Sequence, residues 1–258
     1  MVIRAMPSPN FDDRAGGGSE GKSPSYIILH YTGTDMADEA ARRFCDPAPS
    51  DGYGRLSCHY MIDEAGEVIQ FVEEAARAWH AGKSYWRGIE DMNSASIGIE
   101  IWNRGHRFGG GGQAEKLPDF LAVQMDQLVE LLREIVARHD IPPHHILGHS
   151  DIAPGRKIDP GEHFPWDVLA AAGLGVLPDF SSDSISHRAS HDAQNLHDHP
   201  IEFFKLLHQF GYDPRVDDAV ILREFHRHYA PHLLEVSHPT LESCAAILSL
   251  LEQIDQDF

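Results

Sequence analysis

The stretch SIGIEIWN (Ser96–Asn103) restricts the fold more than any other part of the chain. Isoleucines at 97, 99 and 101 alternate with Gly98, Glu100 and Trp102. A period of two belongs to a strand, because successive side chains of a strand point to opposite faces of the sheet. The isoleucines therefore face one layer and Glu100 the other. A second run, YIILHYTG (Tyr26–Gly33), is short, apolar, rich in β-formers and stopped by glycine, the pattern of a buried strand. HHILGH, ending at His149, reads as a third. Set among helical patterns, these strands predict an α/β fold: a central mixed β-sheet flanked by helices.

Other segments fill in the organisation. SCHYMIDEAGEVIQFV is a hairpin turning at Glu64-Ala65-Gly66. ADEAARRFC (Ala37–Cys45) is helical in composition. PDFLAVQMDQLVELLREIVARHD is an amphipathic helix with Phe120, Val123, Leu128, Leu131, Leu132, Ile135 and Val136 on its apolar stripe, ending before Pro142-Pro143. FPWDVLAAAGLG starts a helix behind Pro165, stopped by Gly173 or Gly175. Residues 1–24 read as an irregular arm, GGGG at 109–112 as a loop, and the polar, Ser- and His-rich stretch 179–199 as a linker. Beyond it, IEFFKLLHQFG, DDAVILREFHRHY and TLESCAAILSLLEQI predict a small three-helix domain over 200–258, separate from a catalytic domain over 1–178. Nine of the 18 histidines follow residue 180, without common ligand spacing, and read as solvated surface.

Bulk charge narrows the partners. The net charge is -19, from 21 basic and 40 acidic residues, so the chain should not bind nucleic acid or an anionic membrane non-specifically. Three cysteines, Cys45, Cys58 and Cys244, are too few and odd in number for a disulfide framework, which favours a reducing compartment. No stretch approaches membrane-spanning length and no secretion signal stands at the start. These features favour the cytoplasm, with the periplasm as the alternative if a signal has been removed.

The chemistry concentrates in ILGHSDIAPGRKIDPG (146–161). A catalytic zinc usually takes three protein ligands and leaves one position open. His149 at a strand end and Asp159, ten residues later and past the Pro154-Gly155 turn, supply two. His30, closing the Tyr26 strand, is the best third, although a lone histidine there could equally be a satisfied core residue. Glu100, on the polar side of an apolar strand, suits a general base, against the alternative of a solvent-facing glutamate. Lys157 suits an oxyanion partner, against the alternative of a surface lysine. Together they specify metal-assisted hydrolysis of an amide or ester.

The motifs IILHYTGT, SCHYMIDEAGEVIQFVEEAARAWHAGKSYWRG, MNSASIGIEIWNRGH and ILGHSDIAPGRKIDPGEHFPW, in that order over roughly 24–178, resemble the zinc N-acetylmuramoyl-L-alanine amidases that share a fold with peptidoglycan recognition proteins and the phage lysozyme-type amidase. Within that family the likeness is to bacterial enzymes acting on murein fragments, including 1,6-anhydro-muropeptides. The resemblance implies one zinc ion per chain on His30, His149 and Asp159, Glu100 as catalytic glutamate and Lys157 as oxyanion lysine. It places Trp79, His80, Asn93 and Arg156 along the substrate groove and His59 as a structural histidine. The implied partner is peptidoglycan or a muropeptide, cleaved between N-acetylmuramic acid and L-Ala. Two departures stand out. Asp159 replaces the third-ligand cysteine of the recognition proteins and phage enzyme. Cys58 replaces a tyrosine of the phage enzyme, which leaves Glu100 to act as base and Cys58 open to oxidation or added metal. The C-terminal helices loosely resemble a peptidoglycan-binding domain in FGYDP and REFHRHYAP, but EVSHPT stands where that family has an Asp-Gly turn. Competing expectations are a recognition protein that binds without cleaving, and a metallopeptidase on the same frame.

Overall fold

In the computed structural model, which describes residues 1–14, 23–50, 52, 54–106, 117–180 and 187–255, the alternating run lies inside a six-stranded mixed sheet. The strands are β1 (Ile3–Ala5), β2 (Phe11–Asp13), β3 (Tyr26–Tyr31), β4 (Tyr60–Ile62), β5 (Val68–Gln70), β6 (Ala76–Ala78), β7 (Ser96–Ile101) and β8 (Ile146–Gly148). The main sheet runs β1-β5-β4-β7-β3-β8, and β2 pairs with β6 apart from it. β4 and β5 form the antiparallel hairpin, while β4, β7, β3 and β8 are mutually parallel neighbours.

Register does the positioning. In the β3–β7 pair Leu29 stands beside Ile99 and His30 beside Glu100. Ile27, Leu29, Ile97, Ile99 and Ile101 are buried in one cluster with Leu128, Leu131, Leu132 and Ile135 of α3 (Ala122–His139). Burying one such side chain contributes roughly 1.5–3 kcal/mol. A one-residue slip would expose the isoleucines and drive Glu100 into this cluster, so the apolar layer holds the polar residues in place on the other face.

The remaining helices are α1 (Ala37–Cys45), α2 (Met92–Ala95), α4 (His149–Ile152), α5 (Trp166–Ala171), α6 (His187–Asp198), α7 (Pro200–Phe210), α8 (Asp218–Tyr229) and α9 (Leu241–Asp255). In α3 the expected stripe is shifted. Val123 is exposed and Phe120 precedes the helix, while Gln124 and Met125 are buried. Gln124 satisfies its burial by donating to the carbonyls of Asp63 and Trp102.

Three expectations need correction. The N-terminal arm is not irregular over its described part: β1 pairs with β5, β2 pairs with β6, and Arg14 is buried, donating to the carbonyls of Asn93, Ser94 and Ser96. Three-residue edge strands carry no readable period. The expected linker is partly helix, since α6 buries Ala193 and Leu196 and lies along α9. Two apolar residues three apart suffice when a neighbouring helix covers them. Over 200–258 the described residues hold the three expected α-helices, α7, α8 and α9, with α6 preceding them. Finally, His226 and His228 are buried, bonded to Ser243 Oγ and Asp151 Oδ2 at 2.8 Å each, instead of lying on a solvated surface. The glycine run 109–112, residues 15–22 of the arm and residues 181–186 of the linker lie outside the described residues.

The C-terminal helices share a hydrophobic cluster with the sheet. Ile28, Trp86, Met92 and Leu147 pack with Phe203, Leu207, Phe210, Tyr212 and Phe225. Trp86 lies between Phe210 and Tyr212, and a Cβ on Gly211 would come within 2.3 Å of its ring. No helix among the described residues is long and apolar enough to cross a membrane.

Candidate metal centre and groove

The parallel strands β7, β3 and β8 end side by side, and ligands in such sheets gather at the carboxyl ends of the strands. His30 lies near the end of β3 and His149 directly follows β8. Asp159 is brought back to both by the turn through Pro154 and Gly155. Its Oδ2 lies 2.9 Å from His30 Nδ1 and 3.0 Å from His149 Nδ1. Ligand atoms of the three residues all fall within 4.8 Å of one another, and all three residues are buried.

The outer ring nitrogens test whether a cation fits. His149 Nε2 lies 3.0 Å from the Ala81 carbonyl, which only accepts, so a proton on Nε2 has a partner there. His30 Nε2 faces His80 Nδ1 at 3.0 Å and can donate to it. Rings protonated on Nε2 alone would present their Nδ1 lone pairs to the Asp159 carboxylate. Acceptors facing acceptors are resolved by a cation between them, and a second partner fixing the tautomer is the usual support of a metal-binding histidine. Burial first, and then the neighbouring His149, push His30 down to about 4, so its ring is neutral near pH 7. Burial works to raise the Asp159 carboxyl, but His149 and His30 hold it well below the usual carboxylate range. The donor set, two imidazoles and a carboxylate, fits a divalent metal ion of the zinc type.

Beside this cluster a groove of about 560 Å³ is lined by His30, Glu100, His149, Asp159, Lys157 and Trp79 among others. Glu100 reaches it from β7. Its Oε2 is buried without a hydrogen-bond partner, and burial, followed by the Asp159 charge, pushes its carboxyl well above the usual range against the pull of Lys157. Lys157 is exposed on the rim, and its ammonium makes no hydrogen bond or ion pair among the described residues. Arg156 also lines the groove, with Nη2 donating to the carbonyls of Ala81 and Lys83 at 2.6 Å.

The remaining site candidates divide. Trp79 is half-buried in the groove wall; its Nε1 donates to Asp12 Oδ1 at 2.9 Å and the Arg55 guanidinium sits 4.7 Å from its ring centroid. His80 lines the groove and backs His30. Asn93 does not reach the groove: it is buried, and its Oδ1 accepts from the backbone N–H of His80 and Ala81, which sets the loop behind both histidines. An Asn beside a predicted strand gives no sign of which way its amide turns. His59 is structural, accepting from Gly98 N–H at 2.9 Å. Cys58 is fully buried and its thiol is pushed well above its ordinary value by burial, so it is not the accessible, oxidisable group that its position suggests. Tyr31, Thr32 and Thr34 also line the groove, a role their place just after His30 could have signalled. Asp12, on a strand invisible to pattern reading, could not have been found that way.

Against this geometry the comparisons are consistent. The family model described as N-acetylmuramoyl-L-alanine amidase matches residues 20–162, more than half of the chain. N-acetylmuramoyl-L-alanine amidase AmiD of Escherichia coli is 33% identical over 246 residues, covering 90% of this chain and 83% of that protein. Among solved structures, AmiD from E. coli in complex with anhydro-N-acetylmuramic acid-L-Ala-D-gamma-Glu-L-Lys superposes with a TM-score of 0.76 at 28% identity, covering 96% of this chain and 99% of that one. AMPDH3 from Pseudomonas aeruginosa in complex with anhydromuramic pentapeptide gives the same TM-score and identity, with coverage of 96% and 99%. By the matched family model, the near full-length relative and the geometry of its strand ends, the chain belongs to the N-acetylmuramoyl-L-alanine amidase family.

Proposed function

We propose that this chain hydrolyses the amide between N-acetylmuramic acid, including its 1,6-anhydro form, and the L-Ala that opens the stem peptide of murein or muropeptides. One zinc ion per chain would be held by His30, His149 and Asp159, with residues 1–178 carrying the catalysis. The observation that carries the reading is the convergence of two imidazoles on Asp159 Oδ2, beside Glu100, whose buried Oε2 has no partner. Zinc supplies Lewis acidity toward a carbonyl oxygen and toward water. Glu100, with its affinity for protons raised, takes a proton from the attacking water and returns it to the departing amine of L-Ala. The Lys157 ammonium stabilises negative charge growing on the carbonyl oxygen. Trp79 and Arg156, on the walls of the same groove, orient the muramyl and peptide parts. Support for the anhydro substrate comes from the likeness to the two solved complexes. We place the chain in the cytoplasm, with the periplasm as the alternative, and cell fractionation distinguishes the two.

Product analysis by mass spectrometry tests the reaction. The zinc-loaded protein is incubated with anhydro-MurNAc-tripeptide and, separately, with intact sacculi. Free stem peptide that disappears on chelation is the expected result, and the better substrate distinguishes fragment recycling from wall turnover. No release from either substrate by zinc-bound protein would move the reading to a recognition protein.

A further inference from the structure

The C-terminal helices reach the metal loop through two consecutive residues of α8. Asp151, two positions after His149, is fully buried. Its Oδ2 accepts from Gly148 N–H at 2.7 Å and from His228 Nδ1–H at 2.8 Å, and its Oδ1 accepts from Tyr212 O–H at 3.0 Å. His228 is itself wedged between the rings of Trp166 and Tyr229, with centroids 3.7 and 3.8 Å away. At the other end of the loop, Glu162, three positions after Asp159, pairs with Arg227. Arg227 is 3% exposed and also binds Glu224 at 2.7 Å. Glu162 additionally accepts from His106 Nε2–H at 3.1 Å, and His106 Nδ1 accepts from the hydroxyl of Tyr31, the neighbour of His30, at 3.1 Å. Between the two ends, Gly155 packs so closely on Val220 of α8 that a Cβ there would come within 2.9 Å of it.

Packing alone does not account for this arrangement. Buried charged groups stabilise a fold little compared with apolar residues of the same shape, because desolvation offsets most of their attraction. What they provide is direction. A carboxylate held by donors from two parts of the chain can occupy only one place, and here Asp151, inside the segment 149–159, accepts from Gly148, His228 and Tyr212, while Glu162, just beyond it, accepts from His106 and Arg227. We infer that the C-terminal helices act as a clamp on the metal loop, with Arg227, His228 and Tyr212 as positioning residues that hold His149 and Asp159 at ligating distance. The inference rests on the assignment of His30, His149 and Asp159 as metal ligands. It gives the C-terminal part a role in the reaction whether or not it touches peptidoglycan.

The test measures zinc affinity of the full-length chain by competition with a chelating dye, alongside thermal midpoints and hydrolysis. His228→Leu and Arg227→Leu should each weaken zinc binding roughly tenfold, the low end of what outer partners of metal ligands are worth. His228→Asn, which restores an N–H near the position of Nδ1, should recover most of the loss. Tyr212→Phe, which removes one hydroxyl from the same carboxylate, should weaken binding about two- to fivefold, a hydrogen bond's worth. Ile247→Ala, in the core of α9 and away from the loop, should lower the thermal midpoint yet leave zinc affinity within about twofold. If His228→Leu fails to fold, Tyr212→Phe decides. Zinc affinity that is unchanged in folded loop-facing variants, or that falls equally in Ile247→Ala, overturns the clamp and leaves the amidase reading intact. Zinc affinity that responds as expected in a protein releasing no stem peptide supports the clamp and sinks the amidase reading instead.

Discussion

Glu100 is a residue whose place in the fold opposes its own chemistry. With Oε2 buried and unpartnered, and Asp159 close by, it resists ionisation. Its folded-state pKa lies above the unfolded value, so its contribution to stability is fullest in acid and is lost as pH rises through the raised pKa. Glu100→Gln in the metal-free protein should therefore raise the thermal midpoint at pH 8 and do so less at pH 5. The same substitution should lower hydrolysis by about 10²–10⁴, the usual worth of a general base, while zinc remains bound. A variant that is less stable than wild type at pH 8 would contradict this account. The residues of the centre were legible because each stands where a periodic pattern breaks: Glu100 among isoleucines, His30 and His149 at the ends of apolar runs. Asn93 was not legible, since its amide serves the backbone of a loop thirteen residues away.

At the scale of elements, β7 shows how one strand serves two layers. Its isoleucines hold it to α3, and Gly98 on the opposite face leaves room for the His80 ring, which a Cβ would approach to 2.3 Å. Gly98→Ala must displace His80 and loosen its contact with His30. We expect a destabilisation of about 1–3 kcal/mol, the usual cost of overpacking, together with weaker retention of zinc on dialysis. A variant that keeps zinc as wild type does would show that His80 does not support the ligand. The strands and α3 were readable from period and length. β1, β2 and α6 were not, because each is held by contacts with distant segments rather than by a pattern of its own.

Across the whole molecule, buried histidines set the response to acid. Burial, with Arg14 next, pushes His59 down to about 3, and burial pushes His145 and His226 down to about 4. Unfolded histidine titrates near pH ~6.5, so between that value and ~4 the unfolded chain binds more protons than the folded one. Stability from these groups is complete above the unfolded pKa and is lost as pH falls through the window. Urea midpoints of the metal-free protein should drop in order from pH 7 to 5.5 to 4.5, and a flat profile would contradict neutral burial. The sequence by itself determined the inner strands of the central sheet, their apolar layer and the metal-capable residue types of the loop 146–161, since strand period and residue type are local properties. Only the tertiary structure decided that Arg14 anchors the arm, that α6 is a helix, and that Asp151 and Glu162 answer to His228 and Arg227. The contacts of Arg14, Asp151 and Glu162 join residues more than sixty positions apart, and a contact at that separation leaves no periodic trace in the chain that makes it.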